Sequence, residues 1–160
     1  AESGQRATEL SDVSLYEEAS KTVEYLEPVL HDKQLSVVIQ GDMRVCIDRR
    51  LFHRSLANLI QNAARYAVPT STITVTLASH GMQVEVSVSN AGEPIDNVHL
   101  ERLFERFYRA DTARARSDAH HGLGLSIVRA VASMHGGRVF AHSKDGLNTF
   151  GFSLMSQAAR

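Results

Sequence analysis

The chain has no tryptophan, one cysteine, three prolines and a formal charge of only -1, and each shortage removes a class of protein. A lone Cys46 excludes an intramolecular disulfide and fits a reducing compartment. In Met43-Arg44-Val45-Cys46-Ile47 it reads as a small buried hydrophobe on a strand. Near-neutral charge offers no basic footprint for nucleic acid, so any phosphate chemistry is expected to be local. No apolar run approaches the roughly 18 residues that span a bilayer, and Ala1 to Leu10 lacks the apolar centre of a signal peptide. No direct membrane contact is therefore expected of this chain, although its start at Ala1 rather than Met suggests a fragment or processed piece of a longer parent. What is plentiful is apolar side chain: 43% of 160 residues suffices for a full core in one domain.

Residues Ala1 to Ser11 are polar and read as a linker or the end of a preceding element. Ala19, Val23, Leu26 and Leu30 form one stripe and predict a helix over Tyr16 to Leu30, with Pro28 weakening its C-terminal end. Leu35, Val37 and Ile39 alternate, Val45 and Ile47 follow after Gly41-Asp42, and the pattern predicts a hairpin. Asp48 is placed to cap a helix in which Phe52, Leu56, Leu59 and Ala63 recur at core spacing. From Thr72 onward the period falls to two: Ile73, Val75 and Leu77, then Val84, Val86 and Val88 across His80-Gly81, predict an antiparallel pair covered by helices on one face. A short apolar helix signal lies around Leu100 to Phe107, within a connection whose later part has little to bury and reads as a lid or binding loop. Leu123, Ile127, Val131 and Met134 then predict a helix over Gly122 to His135, ended by Gly136-Gly137, and Val139, Phe150, Phe152 and Leu154 supply closing strands.

Two segments carry chemistry. On the Asp48-capped helix, Ser55, Asn58, Asn62 and Arg65 share the face away from the apolar stripe. An asparagine there offers a neutral oxygen to a hydrated Mg²⁺, and an arginine offers charge to phosphates. The Gly122-Leu123-Gly124-Leu125 run opens another helix, where backbone donors and missing side chains admit an anion. Taken singly, the asparagines read as an exposed polar face and the glycines as a close helix contact. The arginines between Arg106 and Arg116 have a solvated charge run as their alternative reading. His120-His121 lacks the spacing and partners of a closed metal site.

Together, Asn58-Leu59-Ile60-Gln61-Asn62-Ala63-Ala64-Arg65-Tyr66, Asn90-Ala91-Gly92-Glu93-Pro94-Ile95, Leu103-Phe104-Glu105-Arg106-Phe107-Tyr108-Arg109 and Gly122-Leu123-Gly124-Leu125-Ser126-Ile127-Val128 resemble the N box, first glycine box, F box and second glycine box of sensor histidine kinases. The resemblance implies an α+β fold, a two-layer sandwich whose mixed, mostly antiparallel sheet is covered on one face by helices: the Bergerat or GHKL ATPase fold. It divides the chain into a linker over 1–11, an ATP-binding catalytic domain over 12–156 with a lid over about 96–121, and a tail over 157–160. It implies ATP and Mg²⁺ as ligands, with Asn62 on the metal, Asn58 its companion, and Arg65 and Tyr66 on phosphates and ribose. Arg109 and Arg114 resemble lid arginines that reach the terminal phosphates, and Phe104 and Phe107 the aromatics that anchor the lid. Asn90, Gly92, Ile95, His121, Gly122, Leu123, Gly124 and Leu125 complete the implied nucleotide contacts.

The implied reaction moves the ATP γ-phosphate to a histidine on a separate dimerising hairpin, for relay to an aspartate of a response-regulator receiver domain. None of the eight histidines here has the phosphoacceptor context. The implied location is a cytoplasmic domain of an inner-membrane sensor. Three departures stand out: Asn90 where the family usually has aspartate, Pro94 where a second glycine is common, and His120 where the glycine box normally begins with glycine. The Asn-x-Gly-x-Pro variant looks like that of metal-responsive sensor kinases. The same departures motivate an alternative, a degenerate module of this fold that docks partners without kinase activity. ATP-hydrolysing relatives, and likewise anti-sigma-factor serine kinases, carry a glutamate where this chain has Asn58, which cannot serve as a general base.

Overall fold

A computed structural model describes residues 9–100, 102–105 and 124–156. In chain order the elements are β1 (Leu10–Ser14), α1 (Leu15–Tyr25), α2 (Glu27–Asp32), β2 (Ser36–Gln40), β3 (Arg44–Asp48), α3 (Arg49–Tyr66), β4 (Thr72–His80), β5 (Gln83–Ala91), α4 (Asn97–Leu100), α5 (Gly124–Met134), β6 (Val139–Lys144) and β7 (Leu147–Met155). A five-stranded sheet runs β2-β4-β5-β7-β6, and β1 and β3 form a separate two-stranded sheet. Among the described residues only the β2–β4 pairing is parallel, so the sheet is mixed and mostly antiparallel.

The period-two strands behave as their residues dictate. Ile73, Val75 and Leu77 of β4, Val84, Val86 and Val88 of β5, and Phe150, Phe152 and Leu154 of β7 are all buried, on the face against which α1, α3 and α5 pack. The alternate Thr72, Thr74, Thr76, Glu85 and Ser87 are half-buried or exposed. The outer face is closed at β7, however. A Cβ on Gly151 would lie 2.4 Å from the Phe140 ring, and Thr149 and Ser153 are buried.

Three expectations are corrected. The helix over Tyr16 to Leu30 is two helices, because Pro28 in the first turn of α2 lacks an N–H and its ring crowds the carbonyl four residues back. The Leu35–Ile47 hairpin does not form: β2 lies parallel to β4, from Ser36 opposite Thr72 to Gln40 opposite Thr76, while β3 pairs with β1. Gly41 separates them, at φ +98, where a Cβ would sit 2.1 Å from the Leu77 carbonyl oxygen. Asp42 accepts hydrogen bonds from the Tyr16 N–H (3.1 Å) and, second in effect, the Ser14 hydroxyl (2.9 Å), which hold its carboxyl below the usual aspartate range. The Gly41-Asp42 link therefore staples the chain to the start of α1 instead of turning it back on itself. Leu10 and Ser11, placed in a linker, open β1.

Smaller shifts follow the same logic. Cys46 is half-buried, since Val45 and Ile47 take the inward positions of β3. The buried stripe of α5 is Leu125, Val128, Val131 and Ala132, with Ile127 and Met134 at its margins. Of the signal around Leu100 to Phe107, Leu100 ends α4 and 102–105 form a turn, while 101, 106 and 107 lie outside the described residues.

Candidate functional site

The site is built on α3. Asp48 caps it, its carboxylate accepting the Leu51 N–H at 3.3 Å, and Phe52, Leu56, Leu59 and Ala63 bind it to the core as their spacing requires. With that face fixed, Asn58 and Asn62 lie on one flank, four residues apart. The Asn58 carboxamide donates to the Gly124 carbonyl at 3.2 Å, so the start of α5 is held beside the middle of α3. A Cβ on Gly124 would meet Asn58 at no closer than 3.7 Å, so packing among the described residues does not demand glycine there.

Asn62 is 9% exposed, and its Nδ2 is buried without a hydrogen-bond partner. Ser55 Oγ, one turn before Asn58, is likewise buried and unpartnered. Leaving a buried polar atom unsatisfied costs about 1–3 kcal/mol, so two on one helix need a reason.

The C-terminal end of α3 gathers the next group. Lys33 Nζ donates to the carbonyls of Ala64 (2.8 Å), Arg65 (2.7 Å) and Ala67 (3.5 Å), a cation meeting the negative end of the helix. Arg65 lies over the Tyr66 ring, 5.7 Å from its centroid. Beside them passes the turn after β5: Val68 N donates to Ala91 O at 3.0 Å. A Cβ on Gly92 would stand 2.7 Å from the Tyr66 carbonyl oxygen, so this glycine is required by the close approach of two backbones.

Asn90 is 1% exposed and donates its Nδ2 to the Ala91 carbonyl (3.0 Å), which leaves Oδ1 as the acceptor end. Opposite it in the β5–β7 register stands Asn148, also buried, which donates to Glu93 O at 2.9 Å and accepts from Ser143 Oγ at 2.6 Å. Ser143 Oγ in turn accepts the Ile95 N–H at 3.1 Å, and Ser89 meets Thr149 at 2.7 Å. This polar floor holds the turn from Asn90 to Ile95 in place. Ser143, Asn148 and Thr149 escaped the sequence reading because only strand pairing, not spacing, brings them to Asn90; the polar pair ahead of Phe150 was their one local signal. Lys33 and His135 were missed because only the packing of neighbouring helix ends, not spacing, brings them to the two ends of α3.

Phe104 is 5% exposed, its ring 6.0 Å from that of Phe150, so it fastens the segment after α4 to β7. Leu125 is buried and Ile95 packs at the edge of the core. The structure thus collects Asn58, Asn62, Arg65, Tyr66, Asn90, Gly92, Gly124 and Leu125 around α3, with Ile95 and Phe104 at the margin. Phe107, Arg109, Arg114, His120, His121, Gly122 and Leu123 lie outside the described residues, as does most of the expected lid. Among the described residues no helix is long and apolar enough to cross a membrane, and no group of three metal-ligating side chains occurs.

Residues 47–157 match the family described as histidine kinase-, DNA gyrase B-, and HSP90-like ATPase. Among curated proteins, the chain is 41% identical over 132 residues to the sensor protein IrlS of Burkholderia pseudomallei, covering 82% of this chain and 28% of the relative. It is 36% identical over 140 residues to the sensor histidine kinase CusS of Escherichia coli, covering 87% and 29%. The chain therefore spans less than a third of the length of these relatives. Among solved structures it superposes on the nucleotide-free catalytic domain of the histidine kinase ThkA with a TM-score of 0.81 and 25% identity, over 93% of this chain and 97% of that one. It also matches ThkA in complex with the response regulator TrrA, with a TM-score of 0.76, 25% identity, and 92% and 42% coverage.

Proposed function

The chain belongs to the histidine kinase-, DNA gyrase B-, and HSP90-like ATPase family as its sensor histidine kinase type, and from that premise we propose that it holds Mg·ATP between α3, α5 and the β5–α4 turn for transfer of the γ-phosphate to a histidine. The observation that carries this reading is Asn62: a neutral carboxamide, nearly buried, with one end unpartnered, on the flank of α3 where Asn58 meets Gly124. The unpartnered atom is Nδ2, an N–H donor suited to a phosphate oxygen, while Oδ1 is the end that would ligate Mg²⁺, which takes oxygen ligands one or two at a time from protein and keeps the rest from water and phosphate. When bound, the ion would supply positive charge against the phosphates.

The other residues bind and orient. Arg65 supplies charge toward the phosphates, and Tyr66 flanks the ribose. Asn90, with Nδ2 committed inward, presents Oδ1 to the exocyclic amine of adenine, so a neutral acceptor replaces the usual carboxylate. Gly92 and Ile95 shape the base pocket, and Phe104 with Phe107 anchors a lid over about 96–121. From that lid Arg109 and Arg114 meet the terminal phosphates. Gly124 and Leu125 open α5, whose backbone N–H groups would face the anion, and His121, Gly122 and Leu123 are proposed to complete the phosphate contacts ahead of it.

Asn58 carries no basic group, so it orients without activating water, and hydrolysis is slow. Transfer needs an acceptor, and the proposed acceptor is a histidine of the dimerising hairpin that precedes residues 12–156 in the parent, with a receiver-domain aspartate next in the relay. The parent is proposed to be an inner-membrane sensor with this domain in the cytoplasm. Supplying that hairpin separately with γ-labelled ATP tests the reading. Acid-labile phosphate appears on the hairpin when this chain is present; if the chain binds Mg·ATP yet the hairpin stays unlabelled, the kinase assignment fails.

A further inference from the structure

His135 lies just beyond α5, fully buried, outside every box recognised in the sequence. Its Nδ1 is 3.0 Å from the Val131 carbonyl and its Nε2 is 3.1 Å from the Asp48 backbone nitrogen. A carbonyl can only accept and an amide N–H can only donate. Nδ1 must therefore carry the proton and Nε2 the lone pair, which makes this a neutral imidazole of one defined tautomer. Burial, the dominant influence, pushes the imidazole below the usual histidine range and so favours that neutral form over the opposing pull of the Val131 bond and the Asp48 charge. The backbone around it is tied down as well. The Met155 N–H donates to the His135 carbonyl at 2.8 Å, and Gly137 lies so close to β7 that a Cβ would sit 1.9 Å from the Ser153 carbonyl oxygen.

Asp48 is the cap of α3, so the imidazole joins the C-terminal end of α5 to the N-terminal end of α3. The two antiparallel helices then have two side-chain pins: Asp48 to His135, and Asn58 to Gly124. The pins are ten residues apart along α3 and eleven along α5, which is about 15 Å and about 16 Å at the helical rise. Matching spans mean that the first pin sets the position of the second. Between them the buried residues of α5 are Leu125, Val128, Val131 and Ala132, all apolar, so the directional contacts that fix register are the two hydrogen-bonded pins.

We propose that His135 is a positioning residue that sets the axial register of α5 on α3, transmitting the fixed end of the sheet through Asp48 so that Gly124 stands opposite Asn58. Its consequence for nucleotide affinity rests on the function proposed above; its consequence for the Asn58–Gly124 contact does not.

The test separates the two. In nucleotide-free, ¹⁵N-labelled full chain, the Asn58 side-chain amide reports on its bond to Gly124. His135→Gln can still present an acceptor near the position of Nε2, whereas His135→Asn reaches only as far as Nδ1 and His135→Leu removes both contacts. The expected result is an Asn58 amide that keeps its shift and slow solvent exchange in His135→Gln and loses both in His135→Asn and His135→Leu. Mg·ATP affinity falls at least about fivefold in the same two variants, the scale of one hydrogen bond. Leu30→Ala, in the core beneath α2, lowers the melting temperature while leaving the Asn58 amide unchanged. If His135→Leu does not fold, the Gln and Asn variants decide. An Asn58 amide that is the same in both overturns the proposal. An Asn58 amide that responds as expected in a chain that binds no Mg·ATP upholds it and removes the nucleotide reading.

Discussion

The two flanks of α3 are built on opposite principles. Toward α1, every buried polar atom has an answer: His53 Nε2 meets Glu18 at 2.9 Å, His53 Nδ1 meets Thr22 at 2.9 Å, and Lys21 reaches the second Glu18 oxygen at 3.6 Å. On the flank that carries Asn58 and Asn62, one hydrogen bond reaches Gly124 while Ser55 Oγ and Asn62 Nδ2 stay buried and unpartnered. The first arrangement is scaffold, complete in the chain itself. The second withholds satisfaction, which costs stability and leaves groups ready for something else.

That contrast is broken most directly at Asn62. Asn62→Ala is expected to lower Mg·ATP affinity on the order of 100-fold by calorimetry, since contacts with charged groups are worth about 1.5–3 kcal/mol. The same variant holds or raises the melting temperature, because an unsatisfied buried atom is removed. On the other flank the pattern reverses. His53→Ala strips the buried Glu18 carboxylate of its near partner and costs about 1–3 kcal/mol in urea unfolding, with Mg·ATP affinity changed less than about twofold.

Acid sharpens the comparison further. The folded pKa of His135 lies below the unfolded value of 6.5, so the unfolded chain binds the proton first. The stability contributed is complete above 6.5 and is lost as pH falls from there through the lowered folded value. In His135→Gln that step is absent from the pH dependence of unfolding. The smallest effect is expected at Ser55: Ser55→Ala leaves stability unchanged or raises it by less than about 1 kcal/mol, since no partner is lost.

Much of this was open to reading from local pattern. The eighteen residues of α3 declare themselves by Asp48 and by apolar residues at helical spacing, and β4 and β5 by strict alternation. The nucleotide-facing residues of α3 follow from that, because fixing one face of a helix assigns the others. The segment from Leu35 to Ile47 shows where such reading fails. Alternation announces two strands there but not their partners, and two nearby strands with Gly-Asp between them mimic a hairpin. Their true partners, β4 and β1, are selected by long-range contacts: Gly41 against Leu77 and Asp42 against Ser14 and Tyr16.

By itself, then, the amino-acid order determined which segments become helix or strand, which face of each is apolar, and which boxes place this chain among histidine kinase ATPases. Those properties follow from neighbours within one or two turns, and a linear text contains them. Tertiary structure alone decided that β2 runs beside β4, that Asn148 lies opposite Asn90, that Lys33 closes the end of α3, and that His135 reaches Asp48. These are meetings of groups distant in sequence, made when a whole core closes and every buried donor and acceptor must find a partner or go without.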